Sequence, residues 1–327
     1  MIKRFLILSA VLAVAAVSII ALVGFLKINQ PATNTVPHEE KYGIYAFDPA
    51  TDKVTLIYST SDEMYTSALR LNNHGDKFVF AQKIDGTSEL NTEIFTIGVD
   101  GKNLQRLTSN TYWDLYPAWS PDDTQIAFIS NRTKDFDIYA MNADGTDQRL
   151  LYDSGSHDAD IDWAGDVITV TSGFKIWTIK GDGTNPSQVT NPTNAGQWGN
   201  ANLPIGDYDP RLTRDGTKMV FERLENTSSI HGSYNIFTAN TDGTEETRLT
   251  DTGYSQGLAS WSHEGDKIIY VVAAIENQGK YDLYAMNVDG TNNHNITPSY
   301  FPAGFLCHSP IFSNDDSKIY FIGQWQQ

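Results

Sequence analysis

Apolar and polar positions alternate along this chain in short runs, and the runs return in one order from residue 41 to residue 327. One kind of run starts at an aromatic residue or leucine, passes a polar turn and ends in an apolar stretch. It reads LNNHGDKFVF (71–80), WSPDDTQIAF (119–128), WAGDVITV (163–170), LTRDGTKMVF (212–221), WSHEGDKIIY (261–270) and FSNDDSKIYF (312–321). The other kind is a short apolar stretch running into an acidic turn: IYAFDPATD (44–52), IFTIGVDG (94–101), IYAMNADG (138–145), IWTIKGDG (176–183), IFTANTDG (236–243) and LYAMNVDG (283–290). Runs of this length, rich in β-branched and aromatic residues, predict strands. The D-G and D-D turns allow the positive φ angles of tight hairpins.

A further short run, such as LQRLT, TRLT or HNIT, follows the D-G turns, so one unit holds four strands. Units return roughly every 45 to 50 residues, the period of a β-propeller blade. The order of halves adds a constraint. The repeat begins with a second half and ends with a first half, so six complete blades require the two ends to share one sheet. The reading is therefore all-β: a six-bladed β-propeller of four-stranded blades over 41–327. Its last blade takes inner strands from about 305–323 and outer strands from about 42–59, a closure that removes open sheet edges.

The string PAWSPDDTQIAFIS followed by DIYAMNADGT resembles the repeats of TolB-type propellers, which also build the propellers of prolyl-oligopeptidase and dipeptidyl-peptidase relatives. The likeness covers 41–327, strongest around Trp119, Trp261 and Phe312 and weaker around Trp163 and Leu212. It implies the fold and leaves the function open, because such propellers serve many purposes. The resemblance is to the propeller only, without the α/β domain of TolB proteins or the hydrolase domain of the peptidases, so a Tol–Pal envelope role is not implied.

Ahead of the repeat, Lys3 and Arg4 precede an uncharged run from Phe5 to Leu26, closed by Lys27. As a helix those residues would span about 33 Å, enough for a bilayer core. Residues 1–27 are thus expected to be an N-terminal membrane anchor, with a cleaved signal peptide as the alternative, and 28–40 a polar linker. Positive charge before the span puts the body of the protein outside the cytoplasm, periplasmic or at the cell surface.

Composition changes this picture in two places. A formal net charge of −17 repels phosphate backbones, which argues against a nucleic-acid partner. The single cysteine, Cys307, leaves no intrachain disulfide.

Candidate chemistry is sparse. GYSQG (253–257) matches the G-x-S-x-G nucleophile turn, but it lies where one blade crosses to the next, with a β-strand rather than a helix after it. It is expected to be a crossover turn. The turns NADGTD and NVDGTN lack the full calcium-loop pattern and read as hairpins.

One constellation stands out when the inner strands are aligned on Leu71, Trp119, Trp163, Leu212, Trp261 and Phe312. Five positions upstream lie Thr66, Asp114, Asp158, Asp207, Gln256 and Cys307; three upstream lie Ala68, Tyr116, Asp160, Asp209, Leu258 and Ser309. Residues two apart on a strand share a face, so both sets are expected to converge at one mouth of the central channel. The candidate ligand-binding residues are Asp114, Tyr116, Asp158, Asp160, Asp207, Asp209, Gln256 and His308. No catalytic residue is assigned. No cofactor is expected, except that calcium could offset crowded carboxylates at that mouth.

The functional expectation is a membrane-anchored, extracytoplasmic propeller, monomeric, acting as a non-enzymatic binding or scaffold module for an envelope protein or polysaccharide. The alternative is a divalent-cation-assisted glycan lyase or hydrolase using Asp and His at the channel mouth.

Overall fold

A computed structural model describes residues 34–84, 91–198, 204–225, 233–274 and 280–326. The expected anchor at 1–27 and most of the linker lie outside them. No helix among the described residues is long and apolar enough to cross a membrane.

Residues Val36–Gln327 form one compact unit of six four-stranded antiparallel sheets. The first two strands are β1 (Tyr42–Asp48) and β2 (Lys53–Thr60). Blade 1 follows with β3 (Arg70–Leu71), β4 (Lys77–Lys83), β5 (Thr92–Gly98) and β6 (Gln105–Arg106). Blade 2 has β7 (Asp114–Trp119), β8 (Gln125–Ser130), β9 (Asp137–Asn142) and β10 (Arg149–Tyr152). Blade 3 has β11 (Asp158–Ala164), β12 (Val167–Ser172), β13 (Lys175–Lys180) and β14 (Ser187–Gln188). Blade 4 has β15 (Gly206–Leu212), β16 (Lys218–Glu225), β17 (Ser233–Asn240) and β18 (Thr247–Arg248). Blade 5 has β19 (Ser255–Trp261), β20 (Lys267–Ala274), β21 (Lys280–Asn287) and β22 (His294–Asn295). The sixth sheet joins β23 (Phe305–Phe312) and β24 (Ile319–Trp325) to the opening strands in the order β2-β1-β24-β23.

The closure is the one the repeat order predicts. Tyr42 to Phe47 pair with Gln324 to Ile319 without a register break. Tyr45 is fully buried at this seam. Its ring stacks on Phe321 at 5.6 Å and meets Phe305 edge-on at 5.2 Å, while its hydroxyl donates to Pro37 O and accepts from Trp325 Nε1.

Repeated polar residues have repeated jobs. In four blades the threonine ending the fourth-strand run caps the third strand: Thr108, Thr190, Thr250 and Thr297 accept from the backbone N–H of Ile94, Ile176, Ile236 and Leu283 at 2.8–3.0 Å. The aspartates of the D-G turns accept from the threonine two positions on, as Asp144 does from Thr146 and Asp289 from Thr291. Their carboxylates serve these hairpins. Between blades the packing is apolar: Val79 and Ile94 of blade 1 sit in one cluster with Trp119, Ile126, Phe128 and Met141 of blade 2. Burying each such side chain contributes roughly 1.5–3 kcal/mol, so each inter-blade face is held chiefly by area removed from water.

Candidate functional site: an aromatic pocket above a buried acidic channel

The inner strands carry a feature that the alternation argument does not anticipate. In five of them the register with the second strand slips by one residue, and at the slip sits a residue with positive φ. These are Tyr116 (48°), Asp160 (50°), Asp209 (50°), Leu258 (53°) and Ser309 (48°). This is a β-bulge with its extra residue in the left-handed region, a conformation costing an ordinary side chain roughly 1–2 kcal/mol. The bulge interrupts the two-residue alternation. The interruption falls at the position three before the aromatic.

The outer of the two sets is bound into the blade walls. Asp114 is fully buried and accepts from Ser130 Oγ (2.6 Å), Asn110 Nδ2 (2.7 Å) and Arg132 Nη2 (2.8 Å). Asp207 is equally buried and receives Arg223 Nε at 2.5 Å and Nη2 at 3.0 Å; burial still raises its pKa despite the guanidinium. Gln256 donates to Thr252 Oγ1. His308 meets Gln324 Oε1 at 3.1 Å, and burial lowers its pKa to about 4, so the ring is neutral at pH 7. These four candidates tie the start of an inner strand to its neighbours. Asp158 differs: Ser154 Oγ donates to Oδ1 at 2.6 Å, but Oδ2 has no hydrogen-bond partner although the residue is 2% exposed. Burial first, opposed by the Ser154 and Ser172 hydroxyls, pushes its pKa up to about 6.

The set at the bulges converges with residues from other columns. Asp209 N–H reaches Asp160 Oδ2 at 3.4 Å. Tyr116 lies beside Asp160, and its hydroxyl is 2.8 Å from that of Tyr65. Glu222 of β16 adds a third carboxylate close to Asp160, Asp209 and Arg211. Two arginines offset this charge. Arg211 Nη2 is 2.5 Å from Asp209 Oδ1 and donates across the ring to Ser67 O at 2.9 Å. Arg70 pairs with Asp162 at 3.2 Å and donates to Ile161 O. Blade 1 is thereby linked through the channel to blades 3 and 4. Burial and then the Asp209 charge push the Asp160 pKa up to about 7. Glu222 is raised well above the carboxylate range by burial and by both aspartates. The three acids therefore cannot all be ionised at pH 7.

Above this cluster, on the side where inner strands begin, opens a pocket of about 730 Å³ across blades 2 to 4. Trp113 and the segment 155–157 come from blade crossovers, and Phe136 and Phe174 from turns between second and third strands. Tyr65, Tyr116 and Tyr208 complete the aromatic lining, with Asp158 also at its wall. Phe174 holds φ of 64°, a strained value for a bulky residue. An added Cβ at Gly206 would meet Phe174 Cβ and carbonyl O at 2.6 Å, so that glycine makes room for the Phe174 backbone.

Of the lining Tyr, Trp and Phe rings only Tyr116 falls in the aligned columns; the other five, together with Glu222, escape the sequence alignment of inner strands. Phe136, Phe174 and Trp113 sit in loops outside the repeated columns. Glu222 had a visible signal: its second-strand position holds Ala81, Ile129, Thr171, Val271 and Ile322 in the other blades. Tyr208 occupies the position before the bulge.

GYSQG also takes a different place from the one expected. Ser255, Gln256 and Gly257 belong to β19, with Ser255 opposite Ala273 and Gly257 opposite Val271. The strained residue of this strand is Leu258, so Ser255 is in extended strand rather than on a nucleophile turn.

No family profile matches the chain. An uncharacterized protein of Agrobacterium fabrum is 25% identical over 241 residues, covering 69% of this chain and 75% of its own length. A protein described as a TolB homolog of Chlorobium luteolum is 30% identical over 155 residues, 45% of this chain and only 31% of its own length. Among solved structures, one assigned to TolB of Agrobacterium tumefaciens has a TM-score of 0.63 at 16% identity, covering 88% of this chain and 99% of that one. TolB of Acinetobacter baumannii gives 0.57 at 18% identity, covering 77% and 65%. In fold, the chain is a six-bladed β-propeller similar to those of the TolB structures.

Proposed function

We propose that this propeller is a binding module outside the cytoplasm, held at the membrane by residues 1–27, that takes a segment of an envelope protein into the pocket over blades 2 to 4. The observation that carries the reading is the pocket: about 730 Å³, walled by half-buried aromatic rings and bordered by a carboxylate oxygen without a partner. Rings that keep part of their surface open on a rigid scaffold offer binding area at little entropic cost. The apolar run between Arg4 and Lys27 supports anchoring. Ser255, lying in extended strand, supports binding rather than acyl transfer.

The test is affinity capture from envelope extracts with the full-length protein, quantified by mass spectrometry beside Trp113→Ala and Asn314→Ala variants. Asn314 lies at the opposite mouth. A partner captured by the parent and the Asn314 variant, and lost with Trp113→Ala, supports the reading. A partner indifferent to Trp113 contradicts it.

A further inference from the structure

Resting on that reading of the pocket, we infer that the group it recognises is a positively charged side chain, a lysine ammonium or arginine guanidinium, of a protein partner.

Three independent features point the same way. The first is the arrangement of the rings. Tyr65 meets Tyr116 at 83° and 5.0 Å, Phe136 meets His157 at 64°, and Phe174 meets Tyr208 at 67°. With Trp113 and Phe136 inclined at 30°, the lining rings stand in several orientations around the hollow and form no single flat platform. Aromatic rings around a hollow suit a compact head on a thin stem, and the ring quadrupole attracts a cation.

The second feature is charge. Among the described residues lining the pocket there is no Lys or Arg, while Asp135 and Asp158 both border it. Asp135 is 3.8 Å from His157 Nδ1 at the rim. The channel arginines lie elsewhere: Arg70 and Arg211 line the opposite mouth. The acidic field of the pocket is therefore not neutralised locally, and the chain as a whole carries a net charge of −17, which would draw in a basic partner.

The third is Asp158 itself. A carboxylate oxygen 2% exposed as part of its residue, bordering a cavity and lacking a donor, is costly to leave so. A cation seated beside Asp158 would offset the charge of this carboxylate. Lysine has the matching shape, a small ammonium with three N–H donors on a four-carbon stem that the rings can bury.

The inference is tested by titrating the full-length protein with acetylated, amidated Gly-Lys-Gly, followed by tryptophan fluorescence and calorimetry. The same tripeptide with norleucine or glutamate in place of lysine, and tri-N-acetylglucosamine, are run beside it. The lysine peptide is expected to bind at least about 10-fold more tightly than norleucine, with no glutamate binding. Asp158→Asn and Phe136→Leu should each weaken the lysine peptide about 10-fold, with thermal melting recorded to confirm folding. Equal affinity for lysine and norleucine, or preference for the sugar, overturns the charge assignment while leaving the pocket as a binding site. If no probe binds, the pocket reading fails as well.

Discussion

The carboxylate of Glu222 occupies the space that any side chain at position 257 would need: a Cβ on Gly257 would fall 2.9 Å from Glu222 Cδ and closer still to Oε2. The second glycine of GYSQG is thus required by an acid of the neighbouring blade. Gly257→Ala should displace that carboxylate and destabilise by about 1–3 kcal/mol. In a Glu222→Ala background the same change should cost little. Urea unfolding of the four proteins of this cycle measures the coupling, and additive effects would contradict the contact.

Arg211 and Asp209 are 6% and 3% exposed at the side chain and form an ion pair across 2.5 Å. Removing one partner leaves a buried charge uncompensated, so Arg211→Met should destabilise by about 3–5 kcal/mol. Adding Asp209→Asn should recover part of that loss. Chemical denaturation checks both, and an Arg211→Met variant as stable as the parent would show that the pair is not held as described.

Asp160 gives a pH dependence with a definite sign. Its pKa rises from 3.8 to about 7 on folding, by burial first and the Asp209 charge second. Between those values the folded chain keeps a proton the unfolded chain has lost, so this group's contribution to stability falls as pH rises from about 4 to 7. His308, lowered to about 4, works in the opposite direction below 6.5. The comparison is therefore made within a pair. The melting temperature of Asp160→Asn minus that of the parent should grow as pH is raised from 4 to 7.5, and a constant difference would contradict the assignment.

At the closure, Tyr45→Phe removes hydroxyl contacts to Pro37 and Trp325 and should cost about 1 kcal/mol. Tyr45→Ala also empties the ring site against Phe321 and Phe305 and should cost about 3–5 kcal/mol. Proteolysis near residues 36–60 should accelerate in the second variant and hardly in the first.

The propeller was legible because each blade repeats the same local solution. Hairpin turns fix strand ends, and the split repeat leaves only one way to close the ring. The candidate site was legible only in part, for a physical reason. Alternation places Asp114 and Tyr116 on one face of an ideal strand, but five inner strands bulge at the second of these positions, and most members of the two sets meet different surroundings. Asp114 and Asp207 are consumed by Arg132 and Arg223, while Asp160 and Asp209 enter the channel. The bulge carries no glycine, since Tyr116, Leu258 and Ser309 occupy it as readily as aspartate, so residue type gave no warning. Phe136 and Phe174 lie in turns whose lengths differ between blades, where no repeated column exists to compare. Glu222 alone broke a column visibly.

The central claim, that a partner docks in the pocket over blades 2 to 4, is tested most directly by site-specific photocrosslinking in cells. A benzophenone amino acid at Phe136 reports on this mouth, and one at Asn314 on the opposite mouth. The pocket reading predicts a discrete covalent adduct from Phe136 and none from Asn314. An adduct from Asn314 alone, or from neither position, would contradict it.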